Sequence, residues 1–239
     1  MKRVPLLLSA VLFVLVACTG NKNQLAGDTE SGYARESVLV GDSAASNIPL
    51  VQKKLERIKA ALSQPIPVLL PEQLDSTQAK AARIAMADKQ FGQYYFDEKT
   101  HTPFRNEIFN IYTARPQEIP NGYDQNSVYR VELYNYALNI TTISLVDLAS
   151  QKAISVTHNP HTQPDLNPVL TELAMQIAIN SPEVIKALGY RPEQKDAMMA
   201  ATKTALNRTK CERSLHLCVA PTFTKDGKAL WAIVDLTDH

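Results

Sequence analysis

Hydrophobic and polar positions divide the chain into stretches with different periods. Val4 to Ala17 is apolar apart from Pro5 and Ser9, and residues 19 to 47 are mostly Gly, Ser, Ala, Asn, Asp and Glu with no sustained period. The first stretch falls short of the roughly 20 apolar residues that a membrane-spanning helix needs. The second reads as a flexible tether over 18–47, whose root-mean-square span is roughly 30 Å for a chain of that length. "IPLVQKKLERIKAALSQP" then places Leu50, Val51, Leu55, Ile58 and Leu62 near one helical face with Lys and Arg opposite, and Pro65 closes it. This predicts an amphipathic helix over 48–65.

A helix followed by strands is predicted next. In "LDSTQAKAARIAMADKQF", Asp75 or Ser76 can cap a helix whose small-residue face holds Ala79, Ala82, Ile84 and Ala85. "NEIFNIYTA" sets Ile108, Asn110 and Tyr112 against Phe109 and Ile111. "SVYRVELYNY" sets Val128, Arg130, Glu132, Tyr134 and Tyr136 against Tyr129, Val131 and Leu133. "TTISLVDL" and "AISVTHN" complete an antiparallel meander, with Pro120-Asn121-Gly122 and Ala149-Ser150-Gln151-Lys152 as breaks. The order then recurs. "NPVLTELAMQIAIN", "SPEVIKALGY" and "RPEQKDAMMAATKTALNR" predict three helices, and "LHLCVAPTF" and "ALWAIVDLT" predict strands joined at Lys225-Asp226-Gly227-Lys228. The strand ends "SLVDL" and "AIVDL" are alike. The fold class is α+β: two units, 75–164 and 165–239, each with helices packed on one face of an antiparallel sheet.

Charge and cysteine usage narrow the function classes. Lys2 and Arg3 precede the apolar stretch, which gives residues 1–17 the anatomy of an export signal. The 25 basic and 24 acidic side chains nearly cancel. No concentrated basic surface is expected, which argues against a nucleic-acid binder. Of the 3 cysteines, Cys211 and Cys218 are close in sequence, and in an oxidising compartment a disulfide between them is the expectation, ahead of a metal pair or redox centre.

Leu15-Val16-Ala17-Cys18 resembles the bacterial lipobox, in which a peptidase cuts just before a cysteine carrying a diacylglyceryl thioether. The alternative is a plain secretory signal with an incidental cysteine. The resemblance implies that Cys18 becomes an acylated N-terminus and that the protein meets the membrane through lipid, each buried methylene contributing about 0.8 kcal/mol. Thr19, in place of Asp, favours the outer membrane facing the periplasm under Gram-negative sorting.

"VELYNYALNITTISLVDLASQKAISVTHNPHTQPDLNPVLTELAMQIAINSPEVIKAL" resembles the small N-terminal domains of copper amine oxidases, which have a cystatin-like helix-on-sheet fold. The matching features are a strand ending Val-Asp-Leu, a turn, a strand, a loop with Pro160 and Gln163-Pro164, and a helix containing Glu172. That family's chemistry resides in another domain, with a topaquinone built from the tyrosine of Asn-Tyr-Asp/Glu and copper held by three histidines. Here Ala137 follows Asn135-Tyr136, and no His-x-His pair occurs. The expectation is therefore a noncatalytic binding or envelope-structural lipoprotein with no cofactor and with an envelope protein as a possible partner. The alternative is the front part of an amine oxidase-like enzyme.

The remaining candidates are sparse. His158 and His161, with Asp165 nearby, form a weak metal-binding candidate set against exposed loop histidines. There is no Gly-x-Ser-x-Gly and no Gly-rich phosphate loop, which disfavours hydrolase and nucleotide chemistry. Tyr129, Tyr134 and Tyr136 with Phe109 and Tyr112 are expected to pack under a helix, with a ligand-accepting sheet face as the alternative.

Overall fold

The computed structural model describes residues 36–41, 45, 47–204 and 208–238, with the backbone alone at 36 and 198–202. The expected signal sequence, with Leu15, Val16, Ala17 and Cys18, and the expected tether as far as residue 35 lie outside the described residues.

The fold is α+β, with two sheets. Strands β2 (Val68–Leu69), β3 (Asn106–Thr113), β4 (Val128–Asn135), β5 (Ile140–Asp147) and β6 (Lys152–Pro160) form the first, in that order. The second has the order β1-β9-β8-β7, from β1 (Glu36–Leu39), β9 (Lys228–Asp235), β8 (Cys218–Lys225) and β7 (Ala197–Thr204). Both are antiparallel except at one edge, where β2 runs parallel to β3 and β1 parallel to β9. Each unit therefore takes an edge strand from upstream of the boundary that the sequence pattern suggests.

Helix α2 (Ser76–Ala87) begins at a capping box: the Asp75 side chain accepts from the backbone N–H groups of Thr77 and Gln78, and Gln78 Oε1 accepts from the Asp75 N–H. Its Ala81, Ala82 and Ala85 pack on Ile108, Val131, Leu133 and Val146 of the first sheet. Small side chains let the helix approach the sheet closely. Helix α3 (Pro168–Asn180) is capped by Asn167 and lies on the second sheet, and α4 (Pro182–Leu188) is capped by Ser181 and ends at Gly189 with φ 85°. The turn between β8 and β9 has φ of 51° at Asp226 and 73° at Gly227, as the Asp-Gly pair requires.

The largest core joins the units. Phe109, Tyr134 and Tyr136, on the face of the first sheet away from α2, share it with Leu170, Leu173 and Ile177 of α3 and with Val219, Phe223, Leu230 and Val234 of the second sheet. At Phe109, Tyr134 and Tyr136 the first sheet is thus covered on the face opposite α2 as well.

Several expectations need correction. The expectation of a tether over 18–47 fails at residues 36–40, because β1 closes the β9 edge and Val40 is buried, its N–H donating to the Ile233 carbonyl. An edge strand otherwise leaves a row of unpaired backbone groups, which this pairing satisfies. Residues 197–204, expected as part of a third helix, form β7, since pairing with β8 outweighs the helix preference of Ala, Met and Lys. In helix α1 (Pro49–Leu62) the buried stripe is Val51, Lys54 and Ile58, while Leu55 is exposed. The strict alternation in β3 is broken by a bulge between Ile108 and Asn110, which lets Ile108 and Ile111 both reach the α2 side.

The two Val-Asp-Leu strand ends have the same local design. Asp147 Oδ1 accepts from the Ala149 N–H at 3.3 Å, and Asp235 Oδ1 accepts from the Thr237 N–H at 3.0 Å. Each aspartate ends its strand by capturing a backbone donor two residues on.

Candidate functional site

A cleft of about 450 Å³ opens between α1, the 70–74 segment, β3 and the start of α3. On its floor Lys54 Nζ of α1 lies 2.5 Å from Glu107 Oε1 of β3, and the Tyr136 hydroxyl donates to Glu107 Oε2 at 2.9 Å. Lys54 is 5% exposed and Glu107 is 6% exposed. Burial pulls the lysine below its ordinary pKa, with the Glu107 carboxylate opposing that shift. Burial, reinforced by Glu107, pushes the Tyr136 hydroxyl well up.

At the rim, Arg57 donates to Glu72 Oε1 at 3.0 Å and to the Leu70 carbonyl, and Lys53 lies 2.6 Å from Glu72 Oε2. Asn110 Nδ2 continues the polar strip along the same sheet face, donating to Glu132 Oε2 at 3.0 Å, and the Tyr112 hydroxyl donates to Glu132 Oε1 at 2.9 Å. Arg130 joins Glu132 to Glu118. The cleft and strip thus offer hydrogen-bonding groups in a charge-balanced setting. Each carboxylate is matched by a cation, so the arrangement suits recognition of a polar, nearly neutral group better than capture of a strong anion.

Of the aromatic side chains expected to pack, Phe109, Tyr134 and Tyr136 form a buried cluster, whereas Tyr112 stays exposed. The Tyr134 and Tyr136 rings lie 4.9 Å apart, Phe109 meets Tyr134 edge-on at 5.6 Å, and the Arg105 guanidinium lies 3.8 Å from the centre of the Tyr136 ring. Tyr129 lies on the other face, against the α2 cluster.

Cys211 and Cys218 form the expected disulfide, with their Cα atoms 5.7 Å apart. His158 Nδ1 lies 2.9 Å from Thr142 Oγ1, and its ring meets Tyr94 edge-on at 4.9 Å. Desolvation lowers the His158 pKa. His161 is exposed in a left-handed turn, φ 54°, and Asp165 pairs with Lys203. Among the described residues no third ligating side chain joins His158 and His161.

Lys54, Glu107 and Tyr136 were not singled out as a group by the sequence. Their only signal is a lysine at a core position of the α1 stripe and a glutamate opening a β-favouring run. Comparison with protein-family models, with curated proteins and with solved structures finds no match to this chain.

Proposed function

We propose that this chain is an exported bacterial lipoprotein, anchored by acylated Cys18 in the outer membrane, with a body that acts in the periplasm by binding or as envelope structure and not by catalysis. The observation that carries this reading is Leu15-Val16-Ala17-Cys18 after a charged and apolar leader and before a polar stretch. The Cys211–Cys218 disulfide supports it, because such bonds persist in oxidising compartments. Among the described residues no helix is long and apolar enough to cross a membrane. The charge-balanced cleft between α1 and β3 is the surface we assign to a ligand or an envelope protein partner.

The kinship with amine-oxidase N-terminal domains is part of this proposal. It is supported by the helix-on-sheet order of both units and by the matched hydrogen bonding of their Val-Asp-Leu strand ends. A noncatalytic role is supported by Asn135-Tyr136 itself: Asn135 Nδ2 donates to the Tyr94 carbonyl at 2.8 Å, and the Tyr136 hydroxyl is bound to Glu107. Both side chains are committed to the core. The purified chain should give no quinone stain and turn over no amine; a quinone stain together with amine turnover would establish the enzyme reading instead.

A further inference from the structure

His216, Asp235 and Asp238 bring one imidazole nitrogen and two carboxylate oxygens together, all within 4.8 Å of one another. His216 Nδ1 lies 2.7 Å from Asp235 Oδ2 and 3.8 Å from Asp238 Oδ1. We propose that these three side chains form a site for a divalent transition-metal ion of the Zn²⁺ type, with its remaining coordination position open to water.

The backbone on both sides of the group is fixed. The disulfide ties the loop that carries His216 to the first residue of β8, and Cys218 stands opposite Asp235 in the β8–β9 pair. Leu217 donates its N–H to Thr237 Oγ1 at 2.9 Å, and Leu236 donates its N–H to the Leu217 carbonyl at 2.8 Å. From the other unit, Gln163 Nε2 donates to the Ser214 and His216 carbonyls at 2.9 and 2.8 Å, and Arg105 donates to the carbonyls of Thr237 and Leu236. Inside the loop Arg213 and Ser214 have φ of 52° and 56°.

The chemistry of the set selects the ion. Tetrahedral Zn²⁺ with bonds of about 2.0–2.2 Å places its ligand atoms roughly 3.4 Å apart. The two distances from His216 Nδ1 lie on either side of that value and all three atoms fall within 4.8 Å of one another, so shifts on the order of 1 Å bring them onto one ion. An imidazole with two carboxylates suits first-row transition ions, whereas Ca²⁺ seeks six to eight oxygens and Mg²⁺ keeps near-ideal octahedral oxygen geometry. Asp235 Oδ1 is occupied by the Thr237 N–H, which leaves Oδ2 facing His216. Lys210 supplies the countercharge to Asp238 Oδ2 from a side chain that is 67% exposed.

This inference does not depend on the lipoprotein reading, and its test is separate. The full chain, purified in detergent and stripped with a chelator, is titrated with Zn²⁺ by calorimetry and with Co²⁺ by visible absorption. One ion per chain in the micromolar range or tighter is expected, with a tetrahedral cobalt spectrum. His216→Ala and Asp238→Asn should each weaken Zn²⁺ binding by at least about tenfold. Asp238→Asn changes a side chain near the surface, so its folding is readily checked by circular dichroism. Absence of binding, or binding undiminished in both folded variants, would overturn the site, as would loss confined to His158→Ala.

Discussion

Lys54 and Glu107 are joined across the interface of α1 and β3 at 2.5 Å, with both side chains almost wholly out of water. A helix that the polar pattern presents as a separate amphipathic piece is thereby locked to the first sheet by an ion pair as well as by Val51 and Ile58. Breaking one partner of such a pair costs about 3–5 kcal/mol, because the other charge remains buried. Glu107→Leu alone should therefore destabilise the fold by that amount in urea unfolding. The double variant Lys54→Met/Glu107→Leu should lose less than the single variant, and an equal or larger loss would mean that the pair itself contributes net stability.

Asp147 gives a dependence on pH. The Ser127 hydroxyl donates to Asp147 Oδ1 at 2.5 Å and the Ser150 N–H to Oδ2 at 2.8 Å, and these bonds lower the carboxyl pKa from 3.8 to about 2. A depressed folded pKa means that the unfolded chain binds more protons in that interval. The contribution of Asp147 is fully present above pH 3.8 and is lost as the pH falls towards about 2. NMR titration of the carboxyl carbon should show the low midpoint, and Ser127→Ala should raise it.

The disulfide closes a short loop, with a sequence separation of 7. Replacing both Cys211 and Cys218 by Ser should cost about 2 kcal/mol, the low end of the usual range, because a short loop restrains little unfolded-chain entropy. Thermal unfolding of the oxidised and reduced protein checks this. An unchanged midpoint would assign the loop's order to the Gln163 and Asn139 hydrogen bonds alone.

The shared core predicts one cooperative transition. Trp231, the single tryptophan, reports on the second sheet, while far-ultraviolet circular dichroism reports on both sheets. The two probes should give coincident urea curves, since Phe109, Tyr134 and Tyr136 pack in the same cluster as α3 and the second sheet. Separate midpoints would mean that the two units unfold independently.

Local signals carried much of this fold. The capping group at Asp75, the Asp226-Gly227 turn and the alternation of β4 each act over a few residues, and each is found where the pattern places it. What the pattern misplaces depends on distant partners. Residues 36–39 have no period of their own and become a strand because β9 has an open edge. Residues 197–204 favour a helix until β8 supplies a ladder. Lys54 falls within the apolar stripe of α1 although its charge favours water, and Glu107, 53 residues away, makes its burial tolerable. The convergence of His216 with Asp235 and Asp238 is likewise set by the β8–β9 register and the disulfide, which spacing in the chain does not encode.

The central claim is that Cys18 is the point of attachment, and its most direct test is to express the chain and Cys18→Ser in a bacterial host with labelled fatty acid. Membranes are then separated from soluble periplasm. The parent chain should carry the label and sediment with outer membranes through a high-salt wash, and Cys18→Ser should carry no label and leave the membrane fraction. Unlabelled parent protein, or Cys18→Ser retained on membranes to the same extent, would contradict the account.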